Sequence, residues 1–303
     1  MRSRPSATAS RQLPDPADRA VKPAAFDYLR PGSVDEAVSL LARYGGDAKI
    51  LAGGQSLVPL LNFRIVRPSV LVDINRLTAL DFVEAHSNGL RIGALARHHT
   101  LETSSLVREH FPVLAAAMRH VAHLAIRNRG TIGGSLSHAD PAAELPMMAL
   151  LLDAEIQTSG GAHAADGFSS GPLTTALAED ELVTEIVLPP LPPKTGWGFE
   201  EFSMRHGDFA IASIAATLTA ANGKIREARL GAAGVGETPL RLRAVEAMLV
   251  GEPLTPELAA EAAQVARDRV DPPSDLRASA EYRRHLVATL TERALVAAWA
   301  RAQ

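Results

Sequence analysis

Apolar residues recur at helical spacing near the start of the chain. Between residues 34 and 44 they fall on one face of a predicted helix, at Val34, Ala37, Val38 and Leu41. Ser33 stands directly before this helix as an N-cap. Short apolar runs at residues 48–51 and 69–74 predict two buried strands, with a helix-like segment at 57–63 between them. This alternation of strand and helix patterns predicts a small α/β unit.

Further along the chain, the pattern changes to short strands. Residues 80–84 and 90–92 are predicted to form a hairpin turned by Ser87-Asn-Gly89. Residues 180–188 have the alternating apolar positions of another strand. The run Pro-Pro-Leu-Pro-Pro at 189–193 is rigid, and we place a change of domain there.

The last third of the chain has strand patterns first and helical patterns afterwards. Residues 210–221 and 225–233 are typical of two strands joined by a type I′ turn at Asn222-Gly223. Three helical patterns follow, at residues 240–250, 256–268 and 278–300. Strands followed by helices indicate an α+β domain.

The length of 303 residues exceeds what one ordinary hydrophobic core accommodates. We expect an α+β protein with a two-part module at residues 23–190, divided into a small α/β subdomain at about 23–76 and a larger subdomain at about 77–190. A C-terminal domain at 194–303 follows. Residues 1–22 contain four arginines, three prolines and no apolar segment of a secretory signal, so we expect a disordered extension there.

The composition narrows the classes of function. A net charge of −3 with scattered basic residues gives no basis for nucleic-acid binding. Because the chain has no cysteine, it cannot itself hold an iron–sulfur cluster, a thiolate zinc site or a disulfide. No run approaches the roughly 18 apolar residues that span a bilayer. We expect a cytoplasmic protein that binds neither membranes nor nucleic acids.

Two glycine-rich loops carry the strongest candidate chemistry. The first, LAGGQSL at residues 51–57, follows a predicted buried strand. The second, GTIGGSLSHADP at residues 130–141, combines hydroxyl side chains with backbone N–H groups that successive glycines can orient one way, as in an anion-binding nest. Asp140 precedes Pro141 and is predicted to cap the start of a helix. Two such loops converging on one ligand predict a site for an anionic, hydroxyl-rich nucleotide cofactor.

These two loops also carry a family resemblance. Residues 52–64, AGGQSLVPLLNFR, together with residues 130–146, GTIGGSLSHADPAAELP, resemble the FAD-binding medium subunit of the molybdenum hydroxylases, the family of xanthine dehydrogenase and carbon-monoxide dehydrogenase flavoproteins. The resemblance runs from about Phe26 to the C-terminus. It implies a FAD-binding module of the vanillyl-alcohol-oxidase (PCMH) type at 23–190, then a C-terminal domain of the carbon-monoxide dehydrogenase flavoprotein type at 194–303. FAD is the implied cofactor.

The resemblance further implies which residues bind FAD. In the family, the first loop wraps the pyrophosphate, the second hydrogen-bonds the flavin and the phosphates, and the aspartate of the HADP motif binds ribityl or ribose hydroxyls. Carried over by position, the implied FAD-binding residues are Ala52, Gly53, Gly54, Gln55, Ser56, Leu57, Ile126, Arg127, Thr131, Gly133, Gly134, Ser135, Asp140 and Leu182. Leu182 has an alternative role, because the alternating apolar residues of its strand are typical of core packing.

One position in the C-terminal third departs from the family pattern. Relatives have a lysine that can reach the flavin two residues after an aromatic residue, whereas this chain has Glu201 two residues after Phe199. The departure removes the basis for expecting a cationic contact to the flavin from this segment.

Other catalytic and metal-binding patterns are incomplete. His98-His99 and His120-x-x-His123 have no local carboxylate or cysteine that would complete a metal site. Ser135 and Ser137 lack the G-x-S-x-G elbow of a hydrolase nucleophile. We therefore predict no catalytic residue and no metal site in this chain.

Together, the residues and the resemblance predict the FAD-carrying electron-transfer subunit of an oxidoreductase. The implied partners are an iron–sulfur small subunit and a molybdopterin large subunit, in a heterotrimer that the family assembles as a dimer. The flavin would pass electrons to NAD⁺, a quinone or oxygen. Two alternatives stay open: a self-sufficient FAD-dependent oxidase or dehydrogenase of the vanillyl-alcohol-oxidase type, and a flavin-less assembly scaffold. The first needs its own substrate pocket, and the second leaves two glycine loops without a ligand.

Overall fold

The computed structural model describes residues 23–86 and 89–303. Within these residues the strands and helices are, in chain order, β1 (Asp27–Leu29), α1 (Val34–Tyr44), β2 (Ala48–Leu51), α2 (Leu57–Asn62), β3 (Val70–Asp73), β4 (Val83–His86), β5 (Gly89–Gly93), α3 (His98–Thr103), α4 (Ser105–His110), α5 (Pro112–Ala117), α6 (Leu124–Arg127), α7 (Ile132–His138), α8 (Glu144–Leu151), β6 (Glu155–Thr158), β7 (Ala162–Ala164), β8 (Ser169–Gly171), β9 (Thr174–Thr175), β10 (Val183–Leu188), β11 (Thr195–Phe202), β12 (Ala212–Ala221), β13 (Lys224–Ala233), β14 (Leu240–Arg241), α9 (Arg243–Leu249), α10 (Pro256–Asp268) and α11 (Ala280–Ala302). The predicted extension at 1–22 and the predicted turn residues Ser87 and Asn88 lie outside the described residues.

The first sheet has three parallel strands. β3 lies between β1 and β2 and is parallel to both. Helix α1 begins where the sequence predicts, because the Ser33 hydroxyl accepts a hydrogen bond from the Glu36 N–H. Its residues Ala37 and Leu41 pack in one hydrophobic cluster with Val72 of β3. The predicted strand and helix pattern of this segment is confirmed.

The second sheet has five antiparallel strands in the order β4-β5-β10-β6-β7. Helices α3, α4, α5, α7 and α8 contribute side chains to the largest hydrophobic core, which includes Ile92 of β5, Phe111, Met147 of α8 and Ile156 of β6. The predicted strand at 180–188 begins three residues later, at Val183.

The third sheet, β11-β12-β13-β14, is antiparallel and is covered on both faces. Ala215 of β12 belongs to the largest core, whereas its neighbours Ile214 and Ala216 belong to a second core built with α9, α10 and α11. Successive residues of a strand face opposite sides, so β12 joins the two cores. Asn222 and Gly223 both have positive φ, +53° and +71°, as the predicted type I′ turn requires.

The helices at the end of the chain complete this mixed architecture. The predicted helix at 240–250 is wrong in its first turn, because Leu240 and Arg241 pair with β13 as strand β14 before α9 begins at Arg243. The α+β fold class is confirmed. In the described ranges, no helix is both long enough and apolar enough to cross a membrane.

Candidate cofactor-binding site

The two glycine-rich loops touch each other through their backbones. The first loop joins β2 to α2. The predicted second loop, residues 130–141, is largely helix α7, and the part that is a loop is the short connection from α6 to α7, which also contains Arg129. A Cβ atom built on Gly53 of the first loop would overlap the carbonyl oxygen of Arg129 and stand 2.8 Å from the Cα of Gly130. Real Cβ atoms do not approach other atoms this closely. The close approach of the loops therefore requires glycine at position 53.

Asn75 and Arg97 hold the two loops in this arrangement. The Arg97 guanidinium donates from Nη1 to the Arg129 carbonyl at 2.5 Å and from Nη2 to the Asn75 side-chain oxygen at 2.8 Å. Asn75 in turn donates from Nδ2 to the Ala52 carbonyl at 2.8 Å and to the Leu51 carbonyl at 3.3 Å. Burial lowers the pKa of Arg97, and the neighbouring Arg129 lowers it further, against the opposing charges of nearby aspartates.

A cavity of about 410 Å³ opens beside the junction of the loops, within the roughly 300–1,000 Å³ common for small-molecule sites. Its lining residues are Tyr28, Leu51, Ala52, Gly53, Gly54, Gln55, Val58, Pro59, Asp73, Asn75 and Arg129. The parallel strands β2 and β3 both end at this cavity, since Leu51 and Asp73 are their last residues. Ligands bind most often at the carboxyl ends of parallel strands.

The first loop presents unused hydrogen-bond donors. Among the described residues, no acceptor receives a hydrogen bond from the backbone N–H groups of Gly53, Gly54, Gln55 and Ser56. Arg129 is exposed, and its guanidinium forms no ion pair or hydrogen bond with the described residues. Gly54 has a φ of +72°, a left-handed conformation that favours glycine. These donors suit an anion with several oxygen atoms.

One carboxylate occupies another part of the cavity wall. Asp73 accepts a hydrogen bond from the Tyr28 hydroxyl and another from the Asn75 backbone N–H at 2.9 Å. Burial raises the pKa of Asp73, but the hydrogen bonds from Tyr28 and Asn75 outweigh burial and leave this pKa below its usual value. The same bond, with Asp73 as the acceptor, raises the pKa of Tyr28.

The second loop does not form the predicted nest of free N–H groups. The N–H of Ile132 donates to the Ala96 carbonyl at 3.1 Å, and that of Gly133 donates to the Ala94 carbonyl at 2.9 Å. The N–H of Gly134 donates to the Thr131 hydroxyl, which caps α7. The prediction of a nest of free N–H groups is therefore wrong, because the first backbone N–H groups of α7 donate hydrogen bonds within the chain.

The glycine at position 133 therefore has a packing role. A Cβ atom there would stand 2.7 Å from the Ala94 Cβ and 2.8 Å from the Ala94 carbonyl oxygen. The buried Thr131 and Gly133 hold α7 against the end of β5, and half-buried Ser135 lies one turn further along α7.

The remaining residues of the predicted site lie outside the cavity lining. Arg127 is buried; it donates from Nε to Glu102 at 2.9 Å and from Nη1 to two carbonyls before α6. Ile126, its neighbour in α6, is half-buried. Leu182 is 5% exposed and packs in the core of the first sheet, the alternative that its strand pattern indicated. Ser56 and Leu57 stand at the start of α2 and do not line the cavity.

Asp140 does not cap a helix as predicted. Its side-chain Oδ1 accepts a hydrogen bond from the Ala142 N–H at 2.9 Å, which closes a short turn. Helix α8 begins only at Glu144, because residues 141–143 continue this turn.

Several site residues were not predicted from the sequence. Tyr28, Asp73, Asn75, Arg97 and Arg129 line the cavity or hold its loops. For Asp73 and Asn75 a signal was available, because polar residues at the carboxyl end of a predicted parallel strand commonly face a ligand.

The buried His98 lies behind the second loop. Its Nε2 lies 3.0 Å from the Thr131 carbonyl, and its ring fills the space that a side chain at Gly130 would need. Burial lowers the pKa of His98 to about 4, with smaller effects from Arg127 and Arg97 and an opposing effect of the Thr131 carbonyl. Within residues 23–86 and 89–303, no three His, Asp or Glu side chains form a group that could hold a metal ion.

Comparison with known families gives two matches that together cover almost all of the described chain. Residues 24–191 match the FAD binding domain in molybdopterin dehydrogenase. Residues 197–298 match the CO dehydrogenase flavoprotein C-terminal domain.

Individual relatives match over their full length. The chain is 44% identical to the 6-hydroxypseudooxynicotine dehydrogenase complex subunit alpha of Paenarthrobacter nicotinovorans, over 93% of this chain and 97% of the relative. It is 39% identical to the caffeine dehydrogenase subunit beta of Pseudomonas sp. strain CBB1, over 92% and 96% of the two chains. Among solved structures, carbon monoxide dehydrogenase from Hydrogenophaga pseudoflava superposes with a TM-score of 0.89 at 37% identity, covering 92% of this chain and 99% of that one.

Proposed function

The chain belongs to the FAD-binding medium subunits of the molybdenum hydroxylases, and on that premise we propose that the cavity between its two glycine loops holds the diphosphate of FAD. The observation that carries this proposal is the set of unused donors on one cavity. Gly53, Gly54 and Gln55, whose backbone N–H groups have no acceptor among the described residues, line the cavity together with Arg129. Phosphate oxygens accept hydrogen bonds from amides and guanidinium groups.

The charges on the cavity wall indicate where the diphosphate lies. Arg129 attracts phosphate, whereas the carboxylate of Asp73 repels it. The diphosphate therefore lies towards Arg129 and the first loop. Asp73, with lone pairs left over beyond its bonds from Tyr28 and Asn75, is placed to accept a hydrogen bond from a hydroxyl of the nucleotide.

The second loop supplies the wall against which the first loop rests. Arg129 and Gly130 contact Gly53, and Arg97 fixes their position. At the flavin end, the family resemblance supports Ser135 and Asp140 as hydrogen-bonding residues. These two contacts belong to the proposal.

The wider role of the chain is electron transfer within a complex. Bound flavin accepts electrons singly and returns them in pairs, which suits it to a relay between iron–sulfur clusters and an acceptor. Because this sequence has no cysteine, the clusters must be bound by another chain. The chain is an oxidoreductase subunit, and we propose an iron–sulfur small subunit and a molybdopterin large subunit as its partners, in the cytoplasm.

We propose the same domain division that the sequence indicates. A FAD-binding module at residues 23–190 contains a small subdomain at about 23–76, and a C-terminal domain spans 194–303. The separate hydrophobic cluster built with α9, α10 and α11 supports the boundary before the C-terminal domain.

The relay proposal is tested by exposing the FAD-loaded chain to substrates without its partners. Anaerobic incubation with an aldehyde or a nitrogen heterocycle should leave the flavin absorbance unchanged. Adding the partner subunits should then allow substrate to reduce the flavin. Rapid flavin reduction by substrate in the isolated chain would overturn the relay role and favour the self-sufficient oxidase.

A further inference from the structure

The cavity beside the first loop has an apolar wall as well as hydrogen-bond donors. Tyr28, Val58 and Pro59 line it, and apart from the Tyr28 hydroxyl they present only ring or hydrocarbon surface. Tyr28 is 48% exposed and Val58 is 42% exposed. Apolar side chains exposed in a cavity beside a few polar groups are typical of a ligand site. A diphosphate gains nothing from such a wall, so another part of the ligand lies against it.

The strand register places Tyr28 on the cavity side of the first sheet. Tyr28 of β1 pairs with Leu71 of β3, and Leu51 of β2 pairs with Asp73 of β3. Because alternate residues of a strand face the same side, Tyr28, Asp73 and Leu51 share one face of the sheet. Val72 faces the opposite side and packs with α1 in the hydrophobic cluster there. The ring of Tyr28 is therefore not part of that cluster.

Two contacts restrain the Tyr28 side chain. Its hydroxyl donates a hydrogen bond to the Asp73 carboxylate. The guanidinium of Arg30 lies over the ring, with Cζ 5.8 Å from the ring centroid. A ring that is already restrained loses little conformational freedom when a ligand stacks on it. Tyr28 is thus a pre-positioned, half-exposed aromatic surface at the cavity.

Asp73 indicates which end of the cofactor meets this ring. FAD has hydroxyl groups on the ribose of its adenosine and on the ribityl chain of its flavin, and Asp73 is placed to accept a hydrogen bond from one of them. Ser135 and Asp140, the residues proposed for the flavin end, do not line the cavity. The hydroxyl at Asp73 is then one of the ribose, and the base on that ribose is adenine. Since Tyr28 bonds directly to Asp73, adenine lies within reach of the Tyr28 ring.

We propose that the ring of Tyr28, held by Asp73 and Arg30, stacks against the adenine of FAD. The inference rests on the proposed function, because it requires the diphosphate of FAD to lie at the first loop. Val58 and Pro59 of α2 complete the apolar wall around the base. Stacking of a base on an aromatic side chain commonly strengthens binding by about 5- to 150-fold. Tyr28 is therefore a binding residue for the nucleotide half of the cofactor.

The first test observes the ring directly and requires no change at Tyr28. The chain has three tyrosines, so selective ring labelling gives three sets of NMR signals. Tyr44→Phe and Tyr282→Phe identify two sets by their loss, and the third belongs to Tyr28. Addition of ADP should move the Tyr28 ring protons upfield, because they then lie over the ring current of adenine. Inorganic pyrophosphate has no base and should not produce this shift, and the signals of Tyr44 and Tyr282 should stay in place with both ligands. An unmoved Tyr28 signal at saturating ADP, or no binding of ADP, would overturn the inference.

The second test measures affinity by isothermal titration calorimetry with FAD, ADP and FMN. In Tyr28→Leu the dissociation constants of FAD and ADP should both rise about 5- to 150-fold. That of FMN, which has no adenine, should stay the same. Tyr28→Phe keeps the ring and should lose less affinity than Tyr28→Leu. The control Phe63→Leu removes a ring that is 76% exposed after α2 and does not line the cavity, and it should bind all three ligands normally.

The outcomes separate this inference from the proposed function. If the unmodified chain binds FAD, and Tyr28→Leu binds FAD and ADP as tightly, the inference fails while the proposed function stands. An equal loss of affinity for FAD and FMN would place the flavin rather than the adenine against Tyr28, which also overturns the inference. Failure of the unmodified chain to bind FAD would overturn the proposed function and the inference with it.

Discussion

A side chain at Gly53 would overlap the carbonyl oxygen of Arg129, so the two glycine loops meet backbone to backbone at this point. Neither loop alone forms the cavity. The first supplies free N–H groups, and the second supplies the guanidinium of Arg129 and the surface on which Gly53 rests.

Replacing Gly53 with alanine tests this contact. The added methyl group must push the loops apart, and overpacking of this kind costs about 1–3 kcal/mol of stability. We expect FAD to bind at least about tenfold more weakly, measured by fluorescence titration. The free energy of unfolding should fall by about 1–3 kcal/mol. Gly171→Ala is the matched control, since a Cβ there meets only Thr174, at an ordinary 3.9 Å. Unchanged FAD affinity in Gly53→Ala would mean that the loops do not shape the site together.

Replacing Arg129 with glutamine tests the cation. Because this side chain is exposed and has no partner among the described residues, its loss should leave the unfolding transition unchanged. Loss of a charged hydrogen bond to phosphate, about 1.5–3 kcal/mol, should raise the dissociation constant of FAD by about 10- to 150-fold. Arg267→Gln, at the exposed end of α10, is the control and should bind FAD normally. Equal affinities in the two variants would remove Arg129 from the site.

Asn75→Ala tests the hydrogen bonds by which Asn75 and Arg97 hold the two loops together. The change removes the donor to Ala52 and Leu51 and the acceptor for Arg97, leaving half-buried polar groups without these partners. We expect a loss of about 1–3 kcal/mol in unfolding free energy together with weaker FAD binding. Asn62→Ala, exposed on α2, should change neither quantity. A variant that loses stability but binds FAD with full affinity would show that the Asn75 hydrogen bonds stabilise the fold without positioning the first glycine loop for the ligand.

His98 makes stability depend on pH. In the unfolded chain its imidazole binds a proton below its ordinary pKa of 6.5, whereas the buried ring does so only below about 4. Lowering the pH from 6.5 to 4 therefore favours the unfolded state, by up to about 1.4 kcal/mol per pH unit. Urea unfolding at several pH values should show this decline, and His98→Gln should lack the part due to this residue. His110→Gln, exposed at the end of α4, should keep the whole decline. An unchanged slope in His98→Gln would contradict the assignment.

The sequence predicted features that depend on local chemistry. Ser33 caps α1 through its own hydroxyl, and Asn222-Gly223 adopts the turn that its residue types favour. The sequence pattern did not predict features that depend on hydrogen-bond partners far away in the chain. The free nest expected in the second loop is absent because the carbonyls of Ala96 and Ala94, 36 and 39 residues earlier, accept hydrogen bonds from the N–H groups of Ile132 and Gly133.

The environments of charged residues in loops were the features least predictable from the sequence. Arg127 and Arg129 stand two residues apart with similar neighbours, yet Arg127 is buried against Glu102 while Arg129 faces the cavity. Local sequence does not distinguish the two environments, because tertiary packing decides them. Asp140 and the wrongly predicted cap illustrate the same limit: an Asp-Pro pair favours a turn as well as a helix start.

The most direct test of the account is the cofactor content of the purified chain. The chain should be yellow or become yellow on incubation with FAD, and denaturation should release FAD, identified by its mass, at one molecule per chain. FMN, which lacks the diphosphate, should bind far more weakly than FAD if the first loop and Arg129 hold that group. A chain that takes up no FAD, or that binds FMN as tightly, would contradict the central claim.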